Sequence, residues 1–135
     1  MGSRTTSATF TPVSWDEKEV RATEGPRLAR ASVVNDYAGG IEAGGSACEY
    51  ALVYVTEKTG VFSGMEVLTG AVDGREGTFV VRQSGTFDED GTIRCTFDVA
   101  PGSATGALTG LTGDGSYEVR LGAEKVAVTF TYSLA

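Results

Sequence analysis

GVFSGMEVLTGAVDGREGTFVVRQSGTF, residues 60–87, reads as two alternating runs joined by a turn. In GVFSGMEVLTG (60–70), Phe62, Gly64, Glu66 and Leu68 fall on one face at a period of two, the period of a strand. GTFVVRQSGTF (77–87) continues the alternation. Between them VDGREG (72–77) carries an Asp-Gly pair suited to positive φ, which joins antiparallel neighbours in a hairpin.

The same pattern recurs outward in both directions. ATFTPVSW (8–15), LARASVVNDY (28–37), SACEYALVYV (46–55), TIRCTFDV (92–99), GSYEVRL (115–121) and VAVTFTYSL (126–134) each read as a strand. Cys48, Tyr50, Leu52 and Tyr54 share a face, as do Ile93, Cys95, Phe97 and Val99, and again Val126, Val128, Phe130, Tyr132 and Leu134. DEDG (88–91) supplies another tight turn. Eight short strands with hairpin turns predict an all-β domain, either a sandwich or a closed up-and-down barrel, and closure has the merit of removing sheet edges. SWDEKEV (14–20) carries a capping-box spacing, Ser14 to Glu17, and reads equally as one helical turn or as a continuing strand. Residues 1–7 read as a frayed or appended terminus, with Met1 to Ser3 set aside, and 8–135 as one domain.

Composition narrows the chemistry. The net charge is −7 and the 11 basic residues are scattered, which argues against nucleic acid and anionic membrane surfaces as partners. No run approaches the ~20 apolar residues of a spanning helix, and no charged-then-apolar leader is visible, so a cytoplasmic protein is expected. Histidine is absent and the cysteines number two, Cys48 and Cys95. That combination leaves no zinc ligand set and no Ser-His or Cys-His pair; no metal and no cofactor are expected, and the thiols are expected reduced and half-buried. The glycine-rich PGSATGALTGLTGDGSYE (101–118) has neither the lysine of a phosphate loop nor a helix after it, so its glycines read as corners and close contacts.

SWDE (14–17), LARASV (28–33), the spaced Phe62, Gly64 and Glu66, GREGTFVVRQSGTF (74–87) and PGSATGALTGLTGDGSY (101–117) together resemble, in order and spacing, a family of small uncharacterised bacterial proteins common in actinobacteria, whose fold is similar to allene oxide cyclase. The resemblance spans Phe10 to Tyr132. It implies a single eight-stranded antiparallel up-and-down β-barrel and, by analogy with cyclases of similar architecture, an apolar substrate held inside it, with a homodimer as one arrangement. Where the family pattern carries His near Gln83 this chain has glutamine, so no His-dependent role is implied.

Glu66, inside an alternating apolar run, is the leading candidate for a catalytic group, with Gln83 beside it. Its alternative is a structural ion pair with Arg30, Arg82 or Arg94. Trp15 and Glu17 near a strand end, with Arg30, Glu49, Tyr54, Phe79 and Tyr132, are the candidate substrate contacts. Trp15 reads equally as a plug of the barrel end. Three functions fit: a cofactor-independent cyclase or isomerase acting on a polyketide- or lipid-like substrate, a non-catalytic binding module, or a structural protein with a filled barrel. Gly64, Gly85 and the alanines 29, 31, 47 and 51 argue for interior space; the large aromatics argue for filling.

Overall fold

The computed structural model describes residues 2–134; Met1 and Ala135 lie outside them. Eight strands run antiparallel in chain order: β1 (Arg4–Ala22), β2 (Arg27–Gly39), β3 (Ile41–Tyr54), β4 (Gly60–Val72), β5 (Arg75–Phe87), β6 (Thr92–Val99), β7 (Thr112–Arg120) and β8 (Val126–Ser133). β8 returns to β1, so the sheet is a closed barrel without a free edge. The hairpin of residues 60–87 forms as its sequence dictates. Glu66 pairs with Val81 and Gly64 with Gln83, and Asp73 (φ 46°) and Gly74 (φ 85°) take the two left-handed positions of the turn.

Two expectations change in β1. Strand pairing begins at Arg4 rather than at residue 8: Arg4 to Ser7 lie opposite Tyr132 to Thr129 and form the closing seam of the barrel. The 14–20 segment is strand throughout, paired with Val34 to Arg30 and beyond, so the capping-box spacing is not used.

Bulges decide which side chains face inward. The register of β1 against β2 slips between Pro12 and Ser14, so one extra residue is inserted near Val13. Before it the even positions Ala8 and Phe10 point inward; after it the odd positions Trp15 and Glu17 lie opposite the buried Val33 and Ala31. β3 does the same between Ala43 and Ala47. Gly45 (φ 64°) holds the kink, its N–H bonding Asp36 Oδ1 at 2.8 Å, and the inward face passes from Ile41 and Ala43 to Ser46, Cys48, Tyr50 and Leu52.

The two ends of the barrel differ. At one end lie the turns at Gly40 and at Asp73–Gly74, and the 100–111 segment with its 3₁₀ turn at Gly106–Leu108. That segment folds across the barrel end: Ala100 and Thr105 N–H groups bond Val80 and Thr78 carbonyls at 2.8 and 2.9 Å, and Leu108 and Leu111 are buried. Beneath it Ile41, Leu68, Val72, Phe79, Val81 and Phe130 form a continuous core, with Phe130 stacked on Tyr132 at 5.4 Å. Each such side chain contributes about 1.5–3 kcal/mol by leaving water. The other end carries loops 23–26, 55–59, 88–91 and 121–125, and no segment of the described residues covers it.

Candidate mouth cavity and its buried carboxylate

Inside the uncapped end the barrel holds a cavity of about 700 Å³. Its walls are largely aromatic: Trp15, Tyr50, Tyr54, Phe62, Phe87 and Tyr117 all border it. The glycines of the strands explain how the rings are seated. A Cβ on Gly64 would meet the Tyr50 ring at 2.8 Å, one on Gly85 the Phe62 ring at 2.6 Å, and one on Gly60 the Phe87 ring at 2.6 Å. Each ring is therefore seated against bare backbone, and the glycines expected to make space are covered by rings. Of the small alanines, Ala29 and Ala31 face inward, whereas Ala47 and Ala51 are exposed on the outer wall.

Directly below the floor lies Glu66, 1% exposed. Both carboxyl oxygens are fully engaged by neutral donors. Oε1 accepts from Tyr37 O–H at 2.9 Å and Gln83 Nε2 at 2.6 Å; Oε2 accepts from Ser46 Oγ at 2.5 Å and Asn35 Nδ2 at 3.1 Å. Gln83 in turn accepts from Tyr50 O–H at 2.9 Å. A buried acid normally takes a cation or several hydrogen bonds. Here it is hydrogen bonds, because the arginines weighed as partners are spent elsewhere. Arg30 sits 3.9 Å from Glu49, Arg82 binds Asp98, and Arg94 binds Asp88 and Glu118, all on the exterior.

Glu66 and Gln83 thus form one layer, and two of their partners form the next. Asn35 and Tyr50 both border the cavity, so the buried pair orients the groups that a ligand would touch. Asn35 is 1% exposed and its Oδ1 has no hydrogen-bond partner.

Protons in this region are held tightly. Burial, then the neighbouring Glu66, pushes the Tyr37 hydroxyl well above its ordinary range. Burial likewise raises Tyr50, with Tyr117 and Cys48 adding to it, and raises Tyr117 itself. Cys48 is pushed up to about 12 by burial and by Glu66, and Cys95 to about 11 by burial. Both thiols are free and buried, more deeply than the half-buried placement expected from the sequence, so near neutral pH they are protonated and poor nucleophiles.

At the rim, Glu17 accepts from Trp15 Nε1 at 3.0 Å and from Tyr54 O–H at 2.5 Å, and the Arg27 guanidinium lies 3.9 Å above the Tyr54 ring. Burial, followed by the bond to Glu17, raises Tyr54 to about 12. Trp15 is 52% exposed, so it stands over the mouth and does not plug it.

The sequence-derived site residues therefore separate into four groups. Trp15, Glu17 and Tyr54 meet at the mouth, and Glu66 with Gln83 lies under the floor. Phe79 and Tyr132 belong to the solid end, where Phe79 stacks on Phe130 at 6.4 Å and Tyr132 O–H bonds Asp73 at 2.5 Å. Arg30 and Glu49 point outward from neighbouring strands because the inward face of β2 and β3 is carried by Ala29, Ala31, Cys48 and Tyr50. Missing from the sequence reading were Asn35, Tyr37, Ser46 and Tyr117. Asn35 and Tyr37 sit at alternate positions of LARASVVNDY, and Gly44-Gly45 is the sequence signal of the bulge that turns Ser46 inward. Among the described residues no three acidic or cysteine side chains converge as a metal would require.

The family model for a protein of unknown function, DUF3224, matches residues 6–132. The chain belongs to the DUF3224 family. A crystal structure of a DUF3224 protein with unknown function from Shewanella oneidensis MR-1 shares its fold, with a TM-score of 0.79 at 22% identity over 99% of each chain. No curated protein matches the chain. Membership in the DUF3224 family and this neighbour carry the fold, and no activity comes with them.

Proposed function

We propose that the uncapped end of the barrel binds a small molecule that is mostly apolar and enters between the mouth loops. The observation that carries this is the aromatic-walled cavity of about 700 Å³, open at one end of a barrel whose other end is solid. Ligand sites are concave, mainly apolar and supplied with a few convergent polar groups, which matches Asn35 and Tyr50 on an aromatic wall. The test uses Nile red, an uncharged dye that brightens in apolar surroundings. The wild type is expected to bind it with a blue-shifted emission. Val119→Trp, which adds bulk to a half-buried position on the cavity wall, is expected to abolish the signal while leaving thermal unfolding close to the wild type. Equal dye binding by both proteins would reject the reading.

A second reading, a cofactor-independent cyclase or isomerase, draws support from one further observation. Glu66 and Gln83 fix the orientation of Asn35 and Tyr50, the kind of preorganised polar group that holds a flexible substrate in a reactive conformation and polarises it. In this reading Glu66 and Gln83 are positioning residues, while Asn35 and Tyr50 touch the substrate. The resemblance to allene-oxide-cyclase-like barrels supports it at the level of architecture only. Incubation with polyene or epoxide substrates tests it: turnover lost in Tyr50→Phe with dye binding retained is the expected result, and binding without product from any substrate would remove the reading.

A further inference from the structure

We infer that the ligand of the mouth cavity is a cation, an apolar molecule bearing a protonated amine that enters amine-first toward Asn35; this rests on the binding reading above. Three independent features point the same way. The first is the floor. Asn35 borders the cavity and holds a buried Oδ1 acceptor without a donor, and the neighbouring Tyr50 O–H is committed to Gln83. An ammonium N–H fills that deficit, whereas a carboxylate or phosphate would set another acceptor against Asn35 Oδ1.

The second feature is uncompensated charge. Glu66 lies one residue layer below, bonded only to neutral donors, and no guanidinium or ammonium of the described residues pairs with it. A cation at Asn35 would be the nearest opposite charge in a region shielded from water, where such attraction is strongest. The third is the entrance. Glu17, Glu57, Asp88, Glu89 and Asp90 border the cavity with Lys58 as the one basic residue among its lining. Arg94 offsets Asp88, Arg120 donates to the Asp90 carbonyl at 2.9 Å, and Arg27 covers the Tyr54 ring from the rim, so the acidic excess is reduced but not cancelled. Tyrosine, tryptophan and phenylalanine rings along the wall add to this, since an aromatic face attracts a cation. The acidic rim would raise the local concentration of a cation and deplete an anion.

The experiment compares three ligands that share one apolar body: decylamine (protonated at pH 7), 1-decanol and decanoate, each below its aggregation concentration. Affinities for the wild-type protein are measured by calorimetry and by the fluorescence of Trp15, the chain's single tryptophan. Decylamine is expected to bind at least tenfold tighter than 1-decanol, with decanoate weakest, and the advantage is expected to shrink with added salt. A smaller advantage, or a reversed order, overturns the inference while leaving a binding cavity in place. Failure of all three to bind removes both. Asn35→Leu, checked for folding by its melting curve, is expected to cost decylamine at least fivefold and 1-decanol less than twofold; an equal loss for both would overturn the placement of the amine. If that variant does not fold, the wild-type ligand series decides alone.

Discussion

At the closed end Phe79, Phe130 and Leu68 meet beneath Leu108 and Leu111; at the open end Tyr50, Phe62 and Phe87 lie back against Gly64, Gly85 and Gly60 and leave the axis clear. The strands are the same and the residue types are similar. What differs is the cover. The 100–111 segment supplies two buried leucines to one end, while the loops of the other are short and bury no side chain. Between the halves sits Glu66 with its four donors, a polar layer that belongs to neither. The solid core and the cavity thereby lie at opposite ends of one sheet.

The largest effect is expected where the barrel is solid. Phe130→Ala should cost about 3–5 kcal/mol in urea unfolding, because the ring is enclosed by Phe79, Phe97 and Tyr132 and its loss leaves a cavity. A cost below about 1 kcal/mol would mean that this end is not the structural core. Gly77 lies under the same cover, and a Cβ there would meet Thr105 O at 2.1 Å, so Gly77→Ala should also lower the unfolding midpoint clearly.

In the intermediate layer, Glu66→Gln keeps the shape but turns an NH₂ toward groups that donate. An unmet buried donor costs about 1–3 kcal/mol, and the variant should lose that much in stability. If it is as stable as the wild type, the four-donor arrangement has been misread.

At the mouth, Phe87→Ala should cost only about 1 kcal/mol, since the ring is half-buried and borders empty space, yet it should weaken Nile red binding several-fold. A stability loss matching that of Phe130→Ala would erase the contrast between the ends.

The smallest effect is one of pH. Cys48 and Cys95 keep their protons to about 12 and 11 in the folded barrel, and Tyr54 to about 12, while the unfolded chain releases them near 9 and 10. Folding is then favoured in full below pH 9, and this contribution fades as pH rises toward 12. Melting temperatures should be flat up to about pH 9 and fall beyond it, with Tyr54→Phe removing part of the decline. In the same barrel, a disulfide-exchange reagent at pH 8 should label neither thiol until denaturant is added.

Much of this architecture was legible in residues 60–87, because period-two alternation and an Asp-Gly turn act locally and specify a hairpin. The same alternation puts Glu66 on the face of Phe62 and Leu68, and closure of the barrel turns that face inward. The partners of Glu66 did not follow from alternation, because they depend on parity changes. The extra residue near Val13 sends Trp15 and Glu17 over the mouth, and Gly44-Gly45 sends Ser46 toward Glu66. Phe79 and Tyr132, expected as substrate contacts, could not be assigned to an end without knowing that residues 101–111 fold across it. That stretch, rich in glycine, shows why: Gly102, Gly106 and Gly110 take left-handed φ values that let the chain turn back over the barrel, a non-local act with no periodic signature.

The central claim is that one end of the barrel receives a ligand and the other does not. Methyl-detected NMR on the wild type during titration with decylamine tests it most directly. Shifts are expected at Val33, Leu52, Ile93, Val119 and Leu121, which border the mouth cavity, and none of comparable size at Leu68, Val72, Val99, Leu108 or Leu111. Shifts spread evenly through both sets, or confined to the second, would contradict it.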